Sequence, residues 1–181
     1  MGFLAAGRNL ENTLAFLILL ARLGDIGSTY LATPTLQMES NPLMRWGGWK
    51  LAALSVFACL IPYVDAQLGL TMLVLSLLVT GSNLSKGWLM RAFGESDYQR
   101  MIRSAAARSS LPAALGFVLG GAACVGAAGA VMMFASGGPD TWGYWAASGV
   151  AVYALAVGFY GALSTVRLFR GLAAQPSAVA K

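Results

Sequence analysis

The chain has 181 residues, of which 57% are hydrophobic and 10% charged, against about 45–50% and 25% in ordinary soluble domains; a soluble fold of this size cannot hide so much apolar surface, whereas a polytopic membrane bundle turns it toward hydrocarbon with about 20 apolar residues per helical span. The absence of histidine excludes histidine general bases, histidine-ligated haem and zinc or iron sites built on imidazole. Cys59 and Cys124 sit isolated in apolar runs and read as free thiols, and the surplus of 12 Lys and Arg over 7 Asp and Glu fits the charge of cytoplasmic loops rather than binding to nucleic acid.

The hydropathy pattern predicts an all-α, polytopic bundle of five transmembrane helices. The first span covers about Thr13 to Ala32. It carries Arg8 before an apolar run, as a signal peptide does, but continues into Ala21, Arg22, Leu23, Gly24 and Asp25 without a small-residue cleavage pattern, so it is expected to be retained. Ionisable groups inside a span cost about 2.5–3.5 kcal/mol on insertion scales and face a protein interior or a water-filled cavity. Arg22, Asp25 and Thr29 follow one another at i, i+3 and i, i+4 steps, with Ser28 at the edge of the same face. They form one polar stripe. Counted from Thr13 at about 1.5 Å per residue, Asp25 lies about 18 Å and Thr29 about 24 Å along the helix.

The loop from Pro34 to Trp46 holds Glu39, Ser40, Asn41, Pro42 and Arg45, the chemistry of a hydrogen-bonded corner. Pro42 forces Asn41 out of the helical region and opens a helix, while Asn41 and Glu39 can satisfy exposed backbone donors. A second span from about Gly48 to Val64 and a third from about Leu68 to Met90 are separated only by Asp65, Ala66 and Gln67, which demands a tight antiparallel hairpin. Ser76, Thr80, Asn83 and Gly87 share one face of the third span, with Lys86 slightly displaced.

The long connection from Arg91 to Ser110 interleaves Arg91, Arg100, Arg103 and Arg108 with Phe93, Tyr98, Met101 and Ile102. An amphipathic helix resting on anionic lipid is expected there, drawn by about 1 kcal/mol per basic residue. The fourth span, about Leu111 to Ala135, is rich in small residues; Gly116, Gly120, Gly121, Gly126 and Gly129 can admit a neighbouring helix within the subunit, in a second copy or in a membrane partner. Ser136 to Asp140 is turn chemistry, the fifth span runs from about Trp142 to Phe169, and the tail 173–181 is expected to be flexible. Trp46, Trp49, Trp88, Trp142 and Trp145 fall near span ends, as interfacial aromatic residues do.

Arg45, Lys50, Lys86, Arg91, Arg100, Arg103, Arg108, Arg167, Arg170 and Lys181 all fall on one side of this arrangement, and Arg8 alone on the other. The positive-inside tendency then puts the amino terminus outside and the carboxyl terminus in the cytoplasm. In that topology Asp25, Thr29 and Asn83 reach the cytoplasmic half, and Lys50 and Lys86 the cytoplasmic boundary.

The pattern Asp25, Thr29, Glu39, Asn41, Pro42, read as D-x-x-x-T followed by E-x-N-P-L and then Lys50, resembles small prokaryotic multi-spanning membrane proteins grouped as a domain of unknown function. The likeness covers roughly residues 20–50. It implies a multi-spanning bundle, consistent with a bacterial inner membrane, and supplies no reaction.

Three functions are compatible with these residues. Arg22, Asp25, Thr29, Glu39, Asn41, Lys50, Asn83 and Lys86 can surround a small polar solute or ion that is bound or translocated. Alternatively, Arg22 and Asp25 neutralise one another, the Glu39 to Pro42 corner caps the second span, and Asn83 fastens the third helix to the first, as in a structural or assembly subunit. The third reading is an enzyme acting on a lipid head group, with Asp25 and Glu39 holding a divalent cation and Asn41 adding an oxygen ligand. It lacks D-x-x-D, H-E-x-x-H, G-x-S-x-G and P-loop motifs, and no resident cofactor is expected.

Overall fold

A computed structural model of the chain describes residues 2–36, 39 and 41–174. The described elements are all helical: α1 (Gly2–Ala32), α2 (Pro42–Leu54), a 3₁₀ segment (Ser55–Tyr63), α3 (Ala66–Phe93), α4 (Glu95–Ala107), α5 (Leu111–Ala135) and α6 (Trp142–Ala173). Four helices, α1, α3, α5 and α6, are long and apolar enough to cross a membrane. Phe117 and Phe134 on α5 are 85% and 94% exposed, an arrangement costly in water and natural in hydrocarbon.

The expected second span is not one continuous α-helix. Gly48 takes φ 57° and ψ −154°, a conformation that only glycine adopts readily, and breaks α2. Beyond Leu54 the chain tightens into nine residues of 3₁₀ helix that include Pro62, whose missing N–H interrupts an α-helical ladder. The adjoining hairpin is pinned at both of its arms. Asp65 caps α3, its Oδ1 accepting from the N–H groups of Gln67 at 2.8 Å and Leu68 at 3.0 Å, and a Cβ at Gly69 would lie 2.7 Å from the buried Pro62 ring.

Leu14, Ile18, Ala21, Ser28 and Ala32 form the buried stripe of α1. Leu14, Ile18 and Ala21 close a core with Leu73, against which Ala58 and Cys59 of the 3₁₀ segment pack. The Thr80 hydroxyl donates to the Ala21 carbonyl at 3.3 Å, and a Cβ at Gly87 would rest 3.5 Å from that of Ala32. Rising residue numbers on α1 therefore meet rising numbers on α3, so the two helices are parallel, and the chain between them must run back along α1. It does so from Trp49, whose indole N–H donates to the Pro34 carbonyl at 3.2 Å, to Tyr63, whose hydroxyl donates to Asn12 Oδ1 at 2.8 Å.

On its other side α3 packs against α6. The Thr71 hydroxyl donates to the Trp145 carbonyl at 2.8 Å, and a Cβ at Gly149 would stand 2.8 Å from the Thr71 carbonyl oxygen. Helices α5 and α6 form an antiparallel hairpin through Gly137 and Gly138, both at positive φ. Gly126 and Gly129 face α6, whereas a Cβ at Gly116, Gly120 or Gly121 would meet nothing within 4 Å. The small-residue face is thus divided between a packed half and an uncovered half. The resulting order is α1, α3, α6, α5, and the carboxyl ends of α1, α3 and α6 lie together.

The connection 91–110 does contain a helix, α4, which starts after Gly94 at φ 78°. Tyr98, Ile102 and Ala106 are more covered than Arg100, Met101 and Arg103, and α4 contacts α3 and α6. Its apolar stripe is therefore turned at least partly toward the bundle. Thr33 and Thr35 donate to the two carboxylate oxygens of Glu95, tying α4 to the end of α1. Helix α6 continues past Phe169 to Ala173, and residues 175–181, where a flexible tail is expected, lie outside the described residues.

Packing at the α3–α6 seam generates a direct test. Gly149→Ala should lower the melting temperature of the detergent-solubilised protein, with a loss of about 1–3 kcal/mol typical of overpacking. Gly121→Ala should leave it unchanged or raise it.

Candidate functional site

The carboxylate of Asp25 sits two turns before the carboxyl end of α1, its side chain 13% exposed. A group of this kind needs compensation, and two side chains supply it, Arg22 and Asn83. Arg22, one turn earlier, donates from Nη1 to Asp25 Oδ2 at 2.7 Å. Its Nη2 donates to Ser55 Oγ at 2.6 Å, where α2 gives way to the 3₁₀ segment. Asn83 of α3 donates from Nδ2 to Asp25 Oδ1 at 3.2 Å and to Thr29 Oγ1 at 2.9 Å. One carboxylate thus joins α1 internally, to α3, and through Arg22 to the returning chain. Arg22 Nε and Ser76 Oγ are buried without a partner among the described residues.

The corner after α1 is built as its residues suggest. Glu39 Oε1 accepts from the Asn41 N–H at 2.9 Å, and Asn41 Oδ1 accepts from the Leu43 N–H at 3.0 Å as the N-cap of α2. The capping brings both side chains over the polar stripe.

These groups border a cavity of about 490 Å³. Arg22, Asp25 and Thr29 of α1, Glu39 and Asn41 of the corner, and Ser82, Asn83 and Lys86 of α3 line it together. Seven of the eight residues singled out from the sequence therefore converge. Lys50 does not: it is exposed and stands outside the lining, although Trp49 and Ala52 on either side belong to it. Successive helical residues are about 100° apart around the axis, which is enough to turn Lys50 away.

Helix α6 provides the opposite wall, with Tyr153, Tyr160, Ser164 and Thr165. None of the eight residues singled out from the sequence lies in this helix. The signal available was a spacing of 7 and 4 residues from Tyr153 to Tyr160 to Ser164, one helical face in an otherwise apolar span.

As chemistry, the site holds fixed charge and hydrogen-bonding groups rather than a recognisable nucleophile and base. Among the described residues no group of three or more Cys, Asp and Glu lies close enough together to hold a metal ion. Both oxygens of Asp25 already accept hydrogen bonds, so a cation there would compete with Arg22 and Asn83.

Comparison of the chain with family models, with curated proteins and with solved structures found no match.

The Arg22–Asp25 pair predicts an asymmetry between single and double substitutions. Arg22→Leu should destabilise the protein by about 3–5 kcal/mol, because it leaves a buried carboxylate without its cation, while Arg22→Leu combined with Asp25→Leu should recover most of the loss. Equal losses in both, measured by unfolding in a denaturing detergent, would mean that burial of the carboxylate does not depend on Arg22.

Proposed function

We propose that this chain is a multi-pass protein of a prokaryotic inner membrane that binds or translocates a small polar solute or ion through the cavity between α1, α3 and α6. The observation that carries the reading is that the polar residues of α1 and α3, after bonding one another, still border an open volume to which α6 adds polar groups. Polar residues serving only to fasten two helices would be closed over by packing.

The proposed topology has five crossings, an outer amino terminus and a cytoplasmic carboxyl terminus. Two parallel spanning helices, α1 and α3, require a return between them. At about 2.0 Å per residue for the 3₁₀ segment and 1.5 Å for Trp49–Leu54, that return extends about 27 Å, close to the hydrocarbon thickness of about 30 Å. Arg91, Arg100, Arg103 and Arg108 then lie at the cytoplasmic end, where contact with anionic lipid is part of the proposal. The uncovered Gly116, Gly120 and Gly121 offer a face to a second copy or a membrane partner.

In a Cys59→Ala, Cys124→Ala background, single cysteines at Asn9 and Asp65 should react with a membrane-impermeant maleimide from outside the cell, and one at Ser96 only after permeabilisation. Asn9 and Asp65 on opposite faces would mean that 42–64 does not cross.

A structural or assembly role is the second reading, favoured by the Arg22–Asp25 pair and by the Asn83 bonds to α1. Melting the purified protein across metal ions, lipid head groups and small metabolites separates the two. For a solute site, a ligand at 100 times its Kd stabilises the native state by about 2.7 kcal/mol, and Asp25→Asn should abolish that shift while remaining folded. A flat panel with a destabilised Asp25→Asn protein would assign the cluster to structure.

A further inference from the structure

We infer that the ligand of this cavity is a zwitterion, with an ammonium group held by Glu39 and an acidic group held by Lys86. The inference rests on the solute-binding reading and names its substrate class. Four ionisable side chains line the cavity, and their formal charges balance: Arg22 and Lys86 against Asp25 and Glu39. Arg22 and Asp25 cancel directly, in contact at 2.7 Å.

Glu39 and Lys86 do not form such a pair. Among the described residues the ion pairs are Arg22–Asp25 and Arg100–Asp97, so no nitrogen–oxygen contact within 4.0 Å joins Lys86 to Glu39. Glu39 uses one oxygen to accept from the Asn41 N–H, and no bond to its other oxygen, nor any from Lys86, occurs among the described residues. The two charges come from different elements, the corner after α1 and the last turns of α3. They present an acceptor and a donor to one shared space.

Electrostatics then selects among ligands. Lys86 is exposed where it borders the cavity and Glu39 is half-buried, so a lone cation would engage Glu39 alone and a lone anion Lys86 alone; either adds net charge to a site with largely apolar walls. A molecule carrying both charges satisfies both side chains and leaves the site neutral. Its size fits as well, since 490 Å³ lies within the range of about 300–1,000 Å³ for small-molecule pockets and far exceeds the needs of a single ion. Tyr153 and Tyr160 on the α6 wall supply an amphipathic surface for the uncharged part of such a ligand.

Free amino acids and the head group of an ethanolamine phospholipid share this chemistry. The test uses the full chain in nanodiscs of phosphatidylglycerol, with each of the common L-amino acids titrated singly against the melting temperature. A second arm replaces the lipid by phosphatidylethanolamine. One arm should give a stabilising shift, identifying the source. The amine-only and acid-only analogues of the active compound should then bind at least about ten-fold more weakly, the weight of one charge-assisted hydrogen bond. Glu39→Gln should weaken the zwitterion and the amine but not the acid; Lys86→Met should weaken the zwitterion and the acid but not the amine.

Equal binding of the single-charge analogues, or an Asp25-dependent shift given by potassium, magnesium or inorganic phosphate and by no zwitterion, would overturn this inference and leave the solute-binding reading standing. No shift from any of these probes with the folded wild-type protein would remove both.

Discussion

A carboxylate placed within the last third of an apolar helix is the constraint around which this molecule is arranged. Asp25 cannot be left without compensation in a low-dielectric setting, and its two partners come from α1 and α3. Arg22 provides the countercharge and reaches on to Ser55, while Asn83 provides the second donor. The same bonds that neutralise the carboxylate hold α1 parallel to α3 and fix the junction at which α2 becomes 3₁₀. A buried ion pair adds little net stability compared with a well-packed apolar alternative. Its effect here is to specify which residues of two long apolar helices stand opposite one another, a register that leucine and alanine contacts alone leave weakly defined.

The parts of the fold legible in the sequence are those governed by hydrophobic length. The fourth span coincides with α5, and the third and fifth are each shorter than α3 and α6 by a few residues, because amphipathic helix ends continue beyond the apolar run. The segment 48–64 has the apolar length of a span but not the backbone of one. Hydropathy reports the surroundings of side chains and is indifferent to backbone hydrogen bonding. The break at Gly48 and the 3₁₀ winding that includes Pro62 are backbone effects, signalled by residue types that a hydropathy window averages away.

A similar division applies to the candidate site. Charged and amide residues in α1 and α3 are conspicuous at helical spacing because their burial is expensive. Tyrosine, serine and threonine in α6 are ordinary membrane-helix residues, so the helical spacing of Tyr153, Tyr160 and Ser164 is a faint mark until the fold sets them in the same lining as Asn83 and Lys86. Lys50 shows the converse. Its charge and its position shortly after the E-x-N-P-L stretch draw attention, but the helical phase beyond Gly48 turns it outward. Sequence spacing predicts faces within a regular element and loses phase at a break.

The order of the helices also fixes an order of completion. Synthesis runs from the amino terminus and structure can form as it proceeds, and the contacts among α1, the 3₁₀ segment and α3 draw only on residues made before Gly94. The Arg22–Asp25–Asn83 network belongs to that early half. The α5–α6 hairpin is likewise self-contained, joined to the earlier helices along the seam of Thr71, Val74 and Gly149. The cavity has one wall from each half. It comes into being only when Thr165 has been added and the second hairpin has docked, together with the contacts of α6 to α3 and α4.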